Sequence, residues 1–250
     1  MPTTELENKI RIRRSSERGF EDFGWTDNWM TFSFANYHDP NWTRFGPIRV
    51  IVENHIQPHK GFESHPHRDM EILTYVSSGV LTHGDNMGNK EGIRAGEMQR
   101  LSAGKGIVHS EMNEHDEVEH NIQIWILPDQ KGHEPGYEMK RYEKAERTGR
   151  LRLYVSPEGR EESMRINQDA EIYAGILQKG DLYEHDLKQG RGAWLQVVHG
   201  TIRINDDVVL YQGDGAGITD LTKLELEAME ESELILFDVA MEFKTPYRID

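Results

Sequence analysis

Two short segments carry the side chains best suited to chemistry. His65-Pro66-His67 sets two imidazoles at positions i and i+2, and His109-Ser110-Glu111 sets an imidazole and a carboxylate at the same spacing. Residues i and i+2 of a β-strand project to one face, so each segment aims two nitrogen or oxygen donors in a single direction. If the two strands lie side by side, three imidazoles and one carboxylate converge. Such a set suits a divalent first-row metal and leaves coordination positions open for water or substrate. Glycine-bearing turns flank both segments.

Composition narrows the setting. Nine of the twelve histidines fall between His55 and His133, which puts the chemistry in the first half of the chain. There is no cysteine, so disulfides and thiolate ligation are excluded and any ion must be held by nitrogen and oxygen. At 250 residues, 36% hydrophobic and 29% charged, the chain can bury one large β domain or two of ordinary size. No apolar run approaches the roughly 20 residues that span a bilayer, and the N-terminal stretch lacks the apolar core of a secretory signal. A cytoplasmic protein is expected. The net charge of −15 opposes nucleic-acid phosphates and anionic lipid. Direct DNA binding and membrane attachment are therefore not expected, despite a short basic patch at Lys9, Arg11, Arg13, Arg14 and Arg18.

Strand patterns dominate the elements that must position these donors. Ile122, Ile124 and Ile126 alternate with Gln123 and Trp125, and Leu151, Leu153 and Val155 alternate with Arg152 and Tyr154. Further strands are predicted over 48–54, 71–76, 80–83, 171–177, 194–198, 201–204, 224–228 and 234–239, punctuated by turn residues such as Asp85-Asn86-Met87-Gly88-Asn89. Many short strands with regular turns argue for a β-sandwich or small barrel. Only 137–147 has a helical cast, read as a short helix or a linker between halves.

An internal repeat supports two domains. Val76-Ser77-Ser78-Gly79-Val80-Leu81 resembles Val197-Val198-His199-Gly200-Thr201-Ile202, and Ala95-Gly96-Glu97 resembles Gln212-Gly213-Asp214. Carrying the donor positions across at these offsets lands on Asp186, Lys188, Leu226 and Ala228, so the second half is expected to keep the fold pattern without the donor set.

His65-Pro66-His67, Glu71, Gly79, then Gly96, Gly106-Ile107-Val108-His109 and Asn113 resemble the two-part signature of the cupin barrel. One residue more than in that signature separates Glu71 from Gly79, and Gly104 stands where proline is usual. These departures point to the pirin branch, which the first half resembles over nearly its whole length. The resemblance rests on Gly24-Trp25, on residues 31–37 (TFSFANY), on Asp39-Pro40, on 62–75 (FESHPHRDMEILTY), on Ser102-Ala103-Gly104, on 106–112 (GIVHSEM) and on 122–128 (IQIWILP). The second half resembles the family through strand order and 213–220 (GDGAGITD).

The resemblance implies an all-β bicupin: two consecutive cupin (double-stranded β-helix) barrels packed face to face, a metal-binding domain over 1–135 and a domain without ligands over 150–250. It implies one divalent metal held by His65, His67, His109 and Glu111, with iron the first expectation and copper, nickel, manganese or zinc chemically tolerated. Glu71 takes the place of the carboxylate ligand of other cupins and stands as the alternative. The implied activity is that of a quercetin 2,3-dioxygenase, in which a flavonol meets dioxygen at the metal. Two roles are open to Glu111 there, plain ligand or general base for the flavonol hydroxyl, and the second requires a carboxylate pKa raised by an apolar barrel interior. The alternative is a pirin-type regulator in which the metal acts as a redox-sensitive switch and a protein partner docks, for which the acidic run Glu225, Glu227, Glu230, Glu231 and Glu233 is the candidate face, though a solvated edge is the simpler reading. A further alternative is a metal that only stabilises the fold. With both barrels in one chain, a monomer is expected.

Around the site, Phe32, Phe34, Tyr37 and Trp42 are expected to pack across a barrel, with an aromatic wall for a flat polyphenol as the alternative. Met70, Met98 and Met112 are read as apolar filler in the core or cavity. His83 with Asp85 is the candidate outer pair, and Gly104-Lys105-Gly106 is read as the turn that brings His109 into the barrel.

Overall fold

The structure, a computed structural model, describes residues 9–248. In chain order the strands are β1 (Ile10–Arg13), β2 (Gly19–Asp22), β3 (Thr26–Met30), β4 (Ile48–Ile56), β5 (Lys60–His67) and β6 (Glu71–Ser78). Next come β7 (Val80–Asp85), β8 (Lys90–Arg94), β9 (Met98–Ser102), β10 (Ile107–Asn113), β11 (Glu119–Ile126) and β12 (Gly136–Lys140). Then follow β13 (Arg150–Ser156), β14 (Met164–Arg165), β15 (Ala170–Leu177), β16 (Leu182–Asp186) and β17 (Arg191–His199). The last are β18 (Thr201–Ile204), β19 (Val208–Tyr211), β20 (Gly215–Ile218), β21 (Lys223–Ala228) and β22 (Ser232–Ala240). Each segment that the sequence predicts as a strand falls within one of these. Among the described residues no helix is long and apolar enough to cross a membrane.

The chain divides into two compact units. The N-terminal unit comprises Gly19–Tyr142, Met164–Gln168 and the described residues from Phe243 onward. It holds a seven-stranded sheet in the order β12-β9-β6-β11-β4-β3-β2 and a four-stranded sheet in the order β5-β10-β7-β8. The C-terminal unit comprises the described residues up to Arg18, Glu143–Ser163 and Asp169–Glu242. There β1, β20, β17, β22, β15 and β13 lie side by side in that order, and β16-β21-β18-β19 form a second sheet. Among the described residues no sheet closes on itself; in each unit apolar side chains of the large and the small sheet pack against one another. In the C-terminal unit that core joins Leu195 and Val197 of β17 to Ile202 and Ile204 of β18 and Leu224 and Leu226 of β21. In the N-terminal unit Ile56 and Val76 meet Leu81 and Ile93. Each such burial contributes on the order of 1.5–3 kcal/mol.

The repeat has a physical basis. Gly79 links β6 to β7 and Gly200 links β17 to β18, and both turns carry the chain from the large sheet to the small one with positive φ (+78° and +85°). The same backbone bonds recur: Val76 N donates to Glu97 O at 3.1 Å and Gly96 N to Val76 O at 2.7 Å, while Val197 N donates to Asp214 O at 3.0 Å and Gly213 N to Val197 O at 2.9 Å.

Residues 137–147 depart from expectation. Tyr137 to Lys140 belong to β12, with Tyr137 paired to Leu101 of β9, and only Lys144–Glu146 form a single 3-10 turn. The polar residues that flank Tyr137 and Met139 imitate a solvated helix, but those two side chains pack at strand spacing against the clusters around Ile72 and Ile56. Tertiary packing overrides local propensity here.

Candidate metal centre

Strands β5 and β10 are antiparallel neighbours, and their register places His109 directly opposite His65 and Ile107 opposite His67. A bulge between His109 and Glu111 then shifts the pairing so that Glu111 faces Phe62. Bulges re-aim side chains, and this one needs Gly61. A Cβ at Gly61 would collide with the carbonyl of Glu111 and come within 2.6 Å of Met112 Cα. The entry to β10 needs Gly104, whose φ of +44° and lack of a Cβ let the turn press against the carbonyl of His133. That contact explains glycine where the cupin signature has proline.

The three imidazoles meet. His65, His67 and His109 each present a ring nitrogen within 4.8 Å of the others, with ring centroids 4.5–5.0 Å apart. His65 Nδ1 lies 2.7 Å from Glu63 O; a carbonyl can only accept, so Nδ1 carries the hydrogen and Nε2 keeps its lone pair. His109 is 1% exposed, and neither of its ring nitrogens has a hydrogen-bond partner among the described residues. Burial, reinforced by the neighbouring imidazoles, pushes His67 down to about 4 and His109 down to about 3. Both rings are therefore neutral at physiological pH, which is the protonation state a metal ligand requires. A buried imidazole with both nitrogens unsatisfied is costly unless something accepts its lone pair, and a divalent cation fits that need.

Glu111 stands apart from this trio in its contacts. Its Oε1 accepts hydrogen bonds from Thr74 Oγ1 (2.9 Å) and Gln99 Nε2 (2.6 Å), and its Oε2 accepts from Gln123 Nε2 (2.5 Å). Thr74, Gln99 and Gln123 lie on β6, β9 and β11 of the seven-stranded sheet. The carboxylate thus bridges the two sheets. Its surroundings are polar donors, not the apolar interior that the general-base role would require. Gln123 Oε1 accepts from Trp125 Nε1 at 3.1 Å, and the Trp125 ring stands edge-on to His67 with centroids 5.0 Å apart.

A cavity of about 270 Å³ opens onto these groups. Its apolar walls are Met30, Phe34, Val52, Phe62 and Trp125, and its polar end carries His65, His67, Glu111 and Gln123. A few convergent polar groups in an apolar pocket are the usual make-up of a small-molecule site. A second cleft of about 560 Å³ shares Phe62 and His65 with it and adds Trp25 and Met112.

Other predicted residues distribute as follows. Glu71 lies in β6, after a turn at Asp69 with φ +51°. Its Oε1 accepts from Ser102 Oγ (2.6 Å) and Asn167 Nδ2 (2.9 Å), so it is held in a different set of contacts from the histidines. Phe34 lines the cavity, Phe32 is 1% exposed, and Tyr37 packs on Met30 and Val52. Met98 is fully buried and Met112 lines the adjoining cleft. His83 and Asp85 pair at 3.0 Å, and the His83 ring stacks on Tyr137 at 4.5 Å. Burial pushes Asp85 up, but hydrogen bonds from His83, Asn89 and Met87 outweigh it and leave the carboxyl below its usual range. In the C-terminal unit Leu224 faces His185 across β21 and β16, as His109 faces His65. His185, one residue before the expected Asp186, therefore holds the corresponding place, and it bonds Asp238 Oδ2 at 2.8 Å. Leu224 and Leu226, both fully buried, leave no donor set there. All five acidic residues of the proposed docking face already have partners within that unit: Glu225 meets Lys223, Glu227 meets Arg203, Glu230 accepts from Thr201, Glu231 accepts from Gln178 and Glu233 pairs with Arg147.

Comparison with known proteins agrees with this geometry. Residues 11–126 match the Pirin family and residues 153–239 match the family described as quercetinase C-terminal cupin domain. Quercetin 2,3-dioxygenase of Escherichia coli strain K12 is 44% identical over 92% of this chain and 98% of its own length. The crystal structure of the bacterial pirin YhhW from Escherichia coli, in complex with nickel(II), superposes with a TM-score of 0.87 at 43% identity, covering 92% of this chain and 99% of that one. A pirin-like protein of Caulobacter vibrioides is 39% identical over 89% of this chain and 96% of its own. With such identity along nearly the full length of both chains, this protein belongs to the pirin family.

Proposed function

We propose that the protein is a metal-dependent dioxygenase that opens a flavonol of the quercetin type with dioxygen. The observation that carries this reading is the buried His109, whose ring nitrogens lack a hydrogen-bond partner among the described residues, beside His65 and His67, which line the polar end of an apolar cavity. The names of its relatives support the reaction class, and the nickel(II) complex of a relative supports binding of a divalent ion.

His65, His67 and His109 would hold the ion through neutral imidazole nitrogens, with Glu111 the fourth donor. When bound, the ion supplies Lewis-acid polarisation of a substrate oxygen and a meeting point for dioxygen. The rest is work for the chain's own side chains. Met30, Phe34, Val52 and Trp125 would clasp the flat rings and exclude water from the reacting face. Glu111, oriented by hydrogen bonds from Thr74, Gln99 and Gln123, would serve as a plain ligand, because those donors replace the apolar interior that the general-base role requires. Iron is the ion we expect in the cell, and the cytoplasm the compartment. The test is oxygen uptake and carbon monoxide release by metal-loaded protein with quercetin. Both should vanish in His65→Ala and in His109→Ala; a loaded wild-type protein that consumes no oxygen with quercetin would overturn the assignment.

A further inference from the structure

A second cluster of nitrogen and oxygen donors sits on the other face of the strands that wall the cavity. On β4, Val52 and Asn54 line the cavity, so Glu53 and His55 between and beyond them point to the opposite face. On β11, Gln123 lines the cavity and Asn121 donates nothing outward: its Oδ1 accepts from Asn54 Nδ2 at 2.9 Å on the inner face. His120 then shares the outer face with Glu53 and His55. The register pairs His120 directly with His55.

The three donors are already gathered. His120 Nε2 lies 2.9 Å from Glu53 Oε1 and His55 Nε2 lies 3.9 Å from that same oxygen. All three ligand atoms fall within 4.8 Å of one another. The two imidazole rings stand edge-on at 4.4 Å, and Trp29 stands edge-on to His55 at 5.0 Å, which limits how far the rings can swing. Glu53 is 7% exposed at its side chain and His55 34%. The cluster is therefore rooted in the sheet and reachable from solvent. A hydrogen-bonded His–Glu pair alone would need one imidazole; the second brings its nitrogen to the same oxygen without a hydrogen bond of that length.

We infer that Glu53, His55 and His120 form a second divalent-metal site, separate from the histidine trio and suited to Zn(II) or another borderline ion such as Co(II) or Ni(II). Two imidazoles and one carboxylate are a common three-residue set for such ions, with water completing the shell. Binding requires neutral imidazoles with the hydrogen on Nδ1, so that both Nε2 lone pairs and the carboxylate oxygen turn to the ion. The protein's net charge of −15 favours cation uptake.

Zinc chloride titration at pH 7.5, followed by calorimetry, tests the assignment on the full chain. Wild type should take two equivalents, His65→Ala/His109→Ala one, and His55→Ala/His120→Ala one. His120→Gln keeps an amide donor for Glu53, so it preserves a purely structural bond; it should keep the wild-type melting temperature yet lose the same equivalent. The Co(II)-loaded protein provides an independent reading, since its visible absorption should lose one component in His120→Gln and a different one in His65→Ala/His109→Ala. A second equivalent that persists in His55→Ala/His120→Ala overturns the proposal. So does a wild-type protein that binds nothing beyond what His65→Ala/His109→Ala removes. Because each pair of substitutions reports on its own site, failure here leaves the reading of the histidine trio intact, and the reverse holds equally.

Discussion

Gln99 Nε2 lies 2.6 Å from Glu111 Oε1, so a side chain of β9 in the large sheet fixes a carboxylate carried by β10 in the small one. The same amide reaches Thr74 Oγ1 at 3.0 Å, and Thr74 in turn donates to Glu111 at 2.9 Å. Gln99 and Thr74 hold the carboxylate at one oxygen while Gln123 holds the other. Such outer partners orient a donor, and their loss typically costs about 10- to 100-fold in metal affinity or activity. Gln99→Leu should therefore lower flavonol-dependent oxygen uptake or nickel affinity by about 10- to 100-fold, with far-UV circular dichroism unchanged. A variant that melts earlier but turns over and binds nickel normally would mean that Gln99 serves packing alone.

His65 and His185 hold corresponding places in the two units, and they should respond differently to removal. His65→Ala should abolish metal uptake at the trio, read as loss of one equivalent by elemental analysis. His185→Ala should leave metal content unchanged, because Leu224 and Leu226 stand where His109 and Glu111 would be needed. It should still destabilise the fold, since Asp238, 5% exposed, loses a 2.8 Å partner. Breaking a buried pair by removing one partner costs on the order of 3–5 kcal/mol, and Arg191, which also bonds Asp238, should hold the loss below that range.

Metal and protons compete at the trio. In the metal-free protein His67 and His109 lie near 4 and 3, against 6.5 for the ordinary imidazole. The unfolded chain therefore binds more protons than the folded one between pH 6.5 and about 3, and stability falls as pH drops through that window. Above pH 6.5 the two histidines add no further dependence. Chelator-treated protein should lose urea resistance steadily from pH 6.5 to 4, and His67→Ala/His109→Ala should flatten that slope. Saturating metal should restore about 2.7 kcal/mol at a hundredfold excess over Kd, progressively less as pH falls. A flat profile in the metal-free wild type would contradict neutral, buried imidazoles.

Much of this site was legible in the chain because period-2 geometry is local. Spacing alone could place His65 with His67, and His109 with Glu111, on one face of each strand, and the register that pairs His65 with His109 brings the three histidines together. The bulge before Glu111 could not be read, because it depends on the missing Cβ of Gly61 meeting another strand. Gln123 was hidden differently. In Ile122-Gln123-Ile124-Trp125-Ile126 alternation suggests isoleucines inward and polar residues outward, yet Gln123 and Trp125 line the cavity. A strand buried on both faces loses the contrast that tells one face from the other. Strand β5 shows the converse: none of its residues is fully buried, so no hydrophobic pattern announced it, and only the histidines did. The turn at Asp69 that separates Glu71 from the trio likewise leaves no periodic trace.

Glu119 offers the sharpest test of how the N-terminal unit tolerates charge. It is 0% exposed, its Oε2 accepts from Asn121 Nδ2 at 2.8 Å, and its Oε1 has no partner among the described residues. Burial pushes this carboxyl up to about 8, the Asn121 bond offsets part of that, and the Glu111 charge raises it further. The folded protein thus keeps a proton here that the unfolded chain releases near 4.5. Stability linked to this group is full below pH 4.5, falls as pH rises toward 8, and levels off above. Glu119→Gln mimics the protonated form and carries no such dependence. The variant should match wild type near pH 4.5 and exceed it at pH 8.5 by about 2–4 kcal/mol in urea denaturation. If Glu119→Gln is instead weaker than wild type by the same amount at both pH values, the carboxyl is ionised in the fold and its second oxygen has found a donor.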